Sequence, residues 1–257
     1  MDDQALRLEM DGAIGRLVID RPAKKNAVTL AMWRTFPDRI RTLVDNPDVR
    51  VIVIEGAGGE AFSAGADIAE FDTVRATTES VAVYDTANEA AYAAVRGAAK
   101  PVIARIEGFC MGGGFGLALA CDMRIASPGS VFAIPAARLG IGYPAAWVAD
   151  LLRVVPAPVA KDILFTARRI GADEALRLGL VNAVHDDTQA AIATLASQMA
   201  ANAPLSLLAA KRVIDSLSAR TADPDVERYI GDCFASEDYR EGRRAFLEKR
   251  PARFTGR

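Results

Sequence analysis

The sequence predicts an α/β fold whose last third turns helical, and three observations carry that expectation. A run of β-branched residues, Val51-Ile52-Val53-Ile54, follows an amphipathic segment and stops at Glu55-Gly56, the pattern of a strand buried on both faces. Apolar strands and helical segments then alternate through the middle of the chain. From about Pro156 onward strand-like runs nearly vanish and helical periodicity takes over. At 257 residues, 51% hydrophobic and 25% charged, the chain can bury a sizeable core and lies far from disordered or collagen-like compositions.

In chain order, Leu6 and Leu8, then Ile14, Leu17, Val18 and Ile19, flank Asp11-Gly12, which predicts a hairpin turning at that pair. Thr29 is a fitting N-cap for a helix whose apolar residues Leu30, Trp33, Phe36, Ile40 and Leu43 recur at helical spacing, with Pro37 as a perturbation. A helix over 81–95, a strand over 102–104, a glycine-rich turn, a short apolar helix and a strand over 123–126 follow. Helical stretches are then expected over 157–166, 172–178, 189–201, 205–217 and 225–248. The uncharged stretch 188–210 is long enough for a bilayer, but Gln189, Gln198, Asn202 and Ser206 and the break at Pro204 read as two helices of a globular protein. No tandem repeat or polar linker is present, so residues 1–195 are expected to form the core and 196–257 a helical region packed on it.

Charge and cysteine usage narrow the partners. The 31 Lys and Arg against 33 Asp and Glu leave a net charge of −2, so no basic field draws the molecule to nucleic acid or anionic lipid, and a small molecule is the expected partner. Cys110, Cys121 and Cys233 form no CxxC pair and leave one over in any disulfide scheme, which fits reduced thiols in the cytoplasm. The acidic start, Met1-Asp2-Asp3-Gln4, has no signal-peptide character. A single histidine, His185, makes a multi-histidine metal site impossible; its neighbours Asp186 and Asp187 mark it as an exposed structural residue.

Two segments have the composition of a ligand site. In Ala61-Phe62-Ser63-Ala64-Gly65-Ala66-Asp67-Ile68, small residues let a ligand approach the backbone, and such a turn leaves amide N–H groups to meet an oxygen. The plain alternative is an ordinary loop. The second segment, Gly108-Phe109-Cys110-Met111-Gly112-Gly113-Gly114-Phe115-Gly116, leads into an alanine-rich helix, whose first N–H groups and dipole favour negative charge. Leu117 stands where a dinucleotide fingerprint counted from Gly112 needs glycine, and no Walker lysine follows. Its plain alternative is close strand–helix packing.

Taken with Arg21-Pro22-Ala23-Lys24-Lys25-Asn26-Ala27, Cys121-Asp122-Met123-Arg124-Ile125-Ala126, Gly179-Leu180-Val181-Asn182 and Phe246-Leu247-Glu248-Lys249-Arg250, these segments resemble the crotonase, or enoyl-CoA hydratase/isomerase, superfamily over almost the full length. The resemblance implies a crotonase-like ββα spiral core with C-terminal helices. It also implies an acyl-coenzyme A thioester as substrate and an enolate-like intermediate held by the backbone N–H groups of Ala66 and Gly113. By motif position, coenzyme A contacts fall to Ala23, Lys24, Lys25, Ala64, Asp67, Ile68, Phe246 and Lys249, the last two through a neighbouring subunit of a trimer or dimer of trimers. No metal or redox cofactor is implied, coenzyme A being part of the substrate.

The chain departs from that family where hydratases carry two glutamates, since the corresponding positions are Gly116 and Ala136. Neither transfers a proton, and a positioned acid–base group contributes about 10²- to 10⁴-fold. Decarboxylation or double-bond migration is therefore expected over hydration, with Tyr143 as the group facing the thioester. Two alternatives stand beside this: a hydratase that recruits another acid, and a coenzyme A-binding relative without activity. Glu70, Asp72, Tyr84, Asp85, Glu89 and Tyr92 read as a solvated helix face, Glu107 as a structural hydrogen-bonding group, and Arg138 as a partner for a substrate carboxylate or a neighbouring acid.

Overall fold

The chain opens as an antiparallel hairpin of β1 (Leu6–Asp11) and β2 (Ile14–Ile19), in which Asp11 pairs with Ile14. The turn is therefore Gly12-Ala13, one residue beyond the expected pair, because Gly12 supplies the positive φ of 58°. The computed structural model describes residues 5–74, 76–219 and 223–257, so the acidic start lies outside the described residues.

Helix α1 (Leu30–Asp45) begins where Thr29 accepts a hydrogen bond from the Met32 N–H, and it buries Met32, Trp33, Phe36, Ile40 and Leu43. Pro37 lies inside it without ending it, because the apolar face continues on both sides. Strand β3 (Val51–Gly56) leads directly into β4 (Ala61–Ser63), then into helices α2 (Phe71–Val74) and α3 (Thr78–Arg96). The unit repeats as β5 (Val102–Ile106), β6 (Phe109–Met111) and α4 (Gly113–Ala120), and again as β7 (Met123–Ala126), β8 (Val131–Ala133) and α5 (Ala145–Leu152). This is the ββα spiral. Helix α6 (Ala157–Thr166), β9 (Ile170–Gly171), α7 (Ala172–Leu178), β10 (Ala183–Val184), α8 (Thr188–Ala200), α9 (Pro204–Ala219), α10 (Val226–Ala235) and α11 (Glu237–Glu248) complete the chain.

Each repeat gives one strand to each of two sheets, ordered β1-β2-β3-β5-β7-β10 and β4-β6-β8-β9. The first is parallel from β2 onward, and β4, β6 and β8 are parallel in the second. Both faces of β3 are covered, as its sequence predicts. Ile52 and Ile54 join the main core with Trp33, Phe36, Phe62, Tyr92, Phe115 and Phe132, whereas Val51 and Val53 pack with Ile192 and Ala196 of α8. At the end of that second face Glu55 binds Arg16 at 3.2 Å and Arg105 at 2.6 Å, while Glu107 accepts from Arg105 at 2.9 Å and Thr188 at 2.6 Å. Glu107 is thus a structural hydrogen-bonding group.

The division expected between residues 195 and 196 falls inside α8, one uninterrupted helix. Helix α9 is pinned to the sheet region by the Lys211–Asp122 ion pair at 2.9 Å. The single helix expected over 225–248 is corrected to two. Ser236 is extended and its hydroxyl accepts from the Tyr239 N–H at 3.0 Å, so it ends α10 and caps α11. Pro204 separates α8 from α9 as expected, and no described helix is long and apolar enough to cross a membrane. His185 is exposed, Cys110 and Cys121 are buried, and all three cysteines are free.

Candidate active site

A buried asparagine shapes the first turn. Asn26, fully buried, accepts from the Arg21 N–H at 2.9 Å and donates to the carbonyls of Ala57 at 2.9 Å and Ala61 at 2.6 Å, tying the loop after β2 to β4. Ala64 N–H then donates to Lys25 O at 2.8 Å, Ser63 Oγ to Asn26 O at 2.8 Å, Val28 N–H to Gly65 O at 2.8 Å, and Asp67 N–H to Val28 O at 3.0 Å. In this parallel bridge between Val28 and Ala66, the neighbours of Ala66 make the bonds and its own N–H faces the other way. Gly65 has a φ of 95°, and a Cβ there would stand 2.8 Å from Met111 O, so only glycine lets the two turns approach.

The second turn comes from Gly112, whose φ of 50° and ψ of −119° suit glycine alone. It swings the chain from β6 into α4 and leaves Gly113 as the first helical residue, with its N–H outside the helical ladder. Among the described residues, neither Ala66 N–H nor Gly113 N–H donates to a protein acceptor. The two are neighbours: Ala66 N is 3.8 Å from the position a Cβ on Gly113 would take, and Gly113 N is 3.2 Å from the corresponding position on Gly65.

Around them stands an aromatic wall. Tyr92 is buried, not solvated, and its hydroxyl donates to Gly113 O at 2.6 Å. A Cβ on Gly116 would meet that hydroxyl at 2.5 Å, so Tyr92 fills the volume a side chain at 116 would need. Trp147 packs edge-on against Tyr92, with ring centroids 5.6 Å apart, and against Tyr143, at 5.3 Å. Tyr143 is partly buried, and its hydroxyl, sealed from solvent, has no hydrogen-bond partner among the described residues. Burial raises its pKa well above the ordinary tyrosine value, and the charge of Asp150 pushes the same way.

The solvated face expected on α3 is corrected by this wall. Tyr84 is buried and accepts from Trp33 Nε1 at 2.7 Å. Glu89 accepts from Trp147 Nε1 at 3.0 Å and pairs with Arg96, which also holds the buried Asp150 at 2.6 Å. Glu70 accepts from the Leu30 N–H at 3.0 Å and so caps α1. Asp85 is half-buried, and the side chain of Asp72 lies outside the described residues. Sequence reasoning missed Asn88, Trp147 and Arg96. The spacing of four from Tyr84 through Asn88 to Tyr92 marks one polar helix face and was the available signal.

Of the residues predicted to contact coenzyme A, Lys25 and Ala64 line a cleft of about 320 Å³ with Phe109, Met111, Arg138 and Arg169. The Lys25 ammonium lies 4.7 Å from the Phe109 ring centroid. Arg138 is exposed there and forms no ion pair among the described residues. Ala23, Lys24 and Ile68 are exposed beside this strapped loop, and Asp67 is held by Arg21 at 2.9 Å while accepting from the Ala69 N–H. Phe246 instead lines a different, mainly apolar cleft of about 470 Å³ between α9, α10 and α11, and Lys249 ends α11, exposed. Within one chain these two are not brought to the glycine turns. Among the described residues no group of three or more His, Cys, Asp or Glu gathers as metal ligands.

Two glycine-rich turns thus set two backbone N–H groups without protein acceptors among the described residues side by side at the junction of a ββα spiral. The enoyl-CoA hydratase/isomerase family model matches residues 9–257, and the chain belongs to that family. The short-chain-enoyl-CoA hydratase of Clostridium acetobutylicum is 33% identical over 248 residues, covering 95% of this chain and 94% of the relative. The carnitinyl-CoA dehydratase of Proteus mirabilis is 35% identical over 266 residues, covering 99% of both. The crystal structure of an enoyl-CoA hydratase/isomerase family protein from Hyphomonas neptunium superposes with a TM-score of 0.94 at 39% identity, covering 98% of each chain.

Proposed function

We propose that this chain acts on an acyl-CoA thioester by holding the thioester oxygen with the N–H groups of Ala66 and Gly113, and that decarboxylation or double-bond migration is favoured over hydration. The observation that carries this is the pair of neighbouring, unsatisfied backbone donors, with glycine and alanine at positions 116 and 136. An enolate places negative charge on the thioester oxygen. One preorganised donor aimed at such a charge contributes about 2.7–4 kcal/mol, and a backbone donor needs no reorganisation when the charge appears.

Tyr143 completes the reading. Its raised pKa keeps the phenol protonated at neutral pH, so it serves as a proton donor and not as a base. Decarboxylation matches that state. The electron pair of the breaking carbon–carbon bond enters the enolate, carbon dioxide leaves, and the phenol returns a proton to the α-carbon. Double-bond migration first needs a group that removes a proton, which neither Gly116 nor Ala136 supplies. A hydratase that recruits Glu89 must first free it from Arg96 and Trp147.

The oligomer belongs to the same proposal. Phe246 is 82% exposed and Leu247 80% on α11, and Phe234 on α10 is 63% exposed, a concentration of apolar surface that a second and third copy would cover. In such a trimer Phe246 and Lys249 would complete a neighbour's coenzyme A site, in a cytoplasmic enzyme with reduced thiols. The test of the chemistry is incubation with methylmalonyl-CoA, a 3-enoyl-CoA and crotonyl-CoA. Carbon dioxide release or isomerisation from the first two is expected; fast hydration of crotonyl-CoA, or binding without turnover of all three, overturns the proposal.

A further inference from the structure

A second cavity, of about 360 Å³, lies at the far end of α4, where residues of α5, β7 and α9 meet it. Cys121, which follows α4 and lines the cavity, is about 12 Å along the helix axis from Gly113. None of the lining residues belongs to the glycine turns or to the rings of Tyr92, Tyr143 and Trp147. The charged lining is Arg96, Arg124, Arg153 and Lys211 against Asp122 and Asp215. Most of that charge is balanced. Asp122 accepts from Lys211 at 2.9 Å and from the Val102 N–H at 2.7 Å, while the buried Asp150 holds Arg96 at 2.6 Å and pairs with Arg153. Arg124 is the exception. It is 5% exposed, and its Nε donates to Leu180 O at 2.8 Å and its Nη1 to Cys121 O at 2.9 Å and Ala118 O at 3.3 Å, so carbonyls alone receive it. Among the described residues Arg124 forms no ion pair, and its Nη2 has no acceptor. Burial acts against the charge and lowers its pKa, and the C-terminal dipole of α4 offsets only about half an elementary charge. Buried charges in folded proteins are paired, so a guanidinium left open in the wall of a cavity marks a place for an anion.

We propose that this cavity is a second ligand site, which takes a monocarboxylate with a short apolar body: the carboxylate binds Arg124 Nη2, and the body packs on Leu119, Val154, Met199, Leu207 and Ile214. The proposal does not depend on the acyl-CoA reading above. One unbalanced cation calls for one negative charge, which favours a monocarboxylate over a phosphate dianion, and the planar guanidinium matches a carboxylate. The volume stands near the lower limit of small-molecule pockets, so the body is short. Arg153 and Lys211 line the same space and add to the positive field. Asp215 opposes it. This half-buried carboxyl group lines the cavity and forms no hydrogen bond or ion pair among the described residues, and burial and the charge of Asp122 raise its pKa. Protonated, Asp215 donates to the incoming carboxylate; ionised, it repels it.

The experiment is calorimetry on the full chain with hexanoate, hexanamide and acetate. Hexanoate is expected to bind about tenfold or more tighter than hexanamide, which lacks the charge, and than acetate, which lacks the apolar body. Asp215→Asn replaces the opposing carboxylate with an amide donor and touches no residue of the glycine turns, so it is expected to tighten hexanoate binding by about threefold or more. Excess butyryl-CoA is expected to leave the hexanoate affinity unchanged. Absence of hexanoate binding, equal binding of hexanamide, or an affinity unmoved by Asp215→Asn each overturns the proposal. Displacement by butyryl-CoA overturns it as well, because it puts the carboxylate in the thioester site, and that result leaves the acyl-CoA reading intact.

Discussion

Tyr92 and Gly116 compete for one volume: the phenolic oxygen of one stands 2.5 Å from where the other would carry a Cβ, and a 2.6 Å hydrogen bond to Gly113 O holds it there. Gly116 is therefore a packing requirement of this wall. Installing a carboxylate there by Gly116→Glu has to displace Tyr92 and bury a charge. Overpacking a core costs about 1–3 kcal/mol, beyond which the unpaired carboxylate adds its own desolvation. Urea unfolding is expected to show a loss of about 3 kcal/mol or more for the single variant. Combined with Tyr92→Ala the loss should be smaller than the sum of the two, since the second change vacates the contested space. Strict additivity would show that the two positions do not share it.

Much of this was written in the local sequence, and the exceptions have a common cause. Strand β3 was legible because Val51 to Ile54 leave no polar face, and α1 because Thr29 caps a clean apolar stripe. The close approach of the two glycine turns was legible from Gly65 and Gly112, whose positive φ values no other residue adopts easily. On α3 the reading failed at Tyr84 and Tyr92. Alanines surround that helix on several sides, so periodicity does not say which face is inward, and the choice falls to Trp33 and Gly113 from distant parts of the chain. Ser236 is similar: one residue both ends α10 and caps α11, and a serine inside a helical pattern does not announce the break.

Asn26 is the residue on which the Ala66 turn depends. Replacing it by alanine removes two donations and one acceptance and leaves the half-buried carbonyl of Ala57 and the buried carbonyl of Ala61 without that partner. Removing one partner of a buried hydrogen bond costs about 1–3 kcal/mol. Asn26→Ala is expected to lower stability by about 2–4 kcal/mol in urea unfolding. Turnover of the accepted thioester should also fall by more than tenfold under folding conditions, because a small displacement of Ala66 N–H from the oxygen weakens the donor. Unchanged turnover in the folded variant would separate the strap from the site.

Tyr143 should separate in the opposite sense. Its hydroxyl makes no hydrogen bond among the described residues, so Tyr143→Phe removes an unsatisfied buried group and keeps the ring against Trp147. Stability is expected to be unchanged or slightly higher, within about 1 kcal/mol, while turnover falls about 10²- to 10⁴-fold with binding retained. The raised pKa adds a pH signature: the phenol remains a donor above pH 10, so the rate should show no descending limb from this group between pH 7 and 10. A variant as active as the parent chain would remove Tyr143 from the reaction.

Stability itself should decline on the alkaline side, and the buried thiols set where. Burial pushes Cys121 up to about 12 and Cys110 well above its ordinary value, and Tyr92 is raised in the same way. A raised pKa means that the folded chain holds the proton more tightly than the unfolded one. Below the unfolded thiol value of about 8.5, both states are protonated and this stabilisation is present in full. Above it the unfolded state loses its proton first, so stability falls by about 1.4 kcal/mol per pH unit for each thiol until the folded pKa is reached. Cys121→Ala lacks one such group. The gap between it and the parent chain in urea unfolding is therefore expected to shift by about 2 kcal/mol in favour of the variant between pH 8.5 and 10. Parallel curves over that interval would mean that Cys121 titrates alike in both states and that its burial does not raise its pKa.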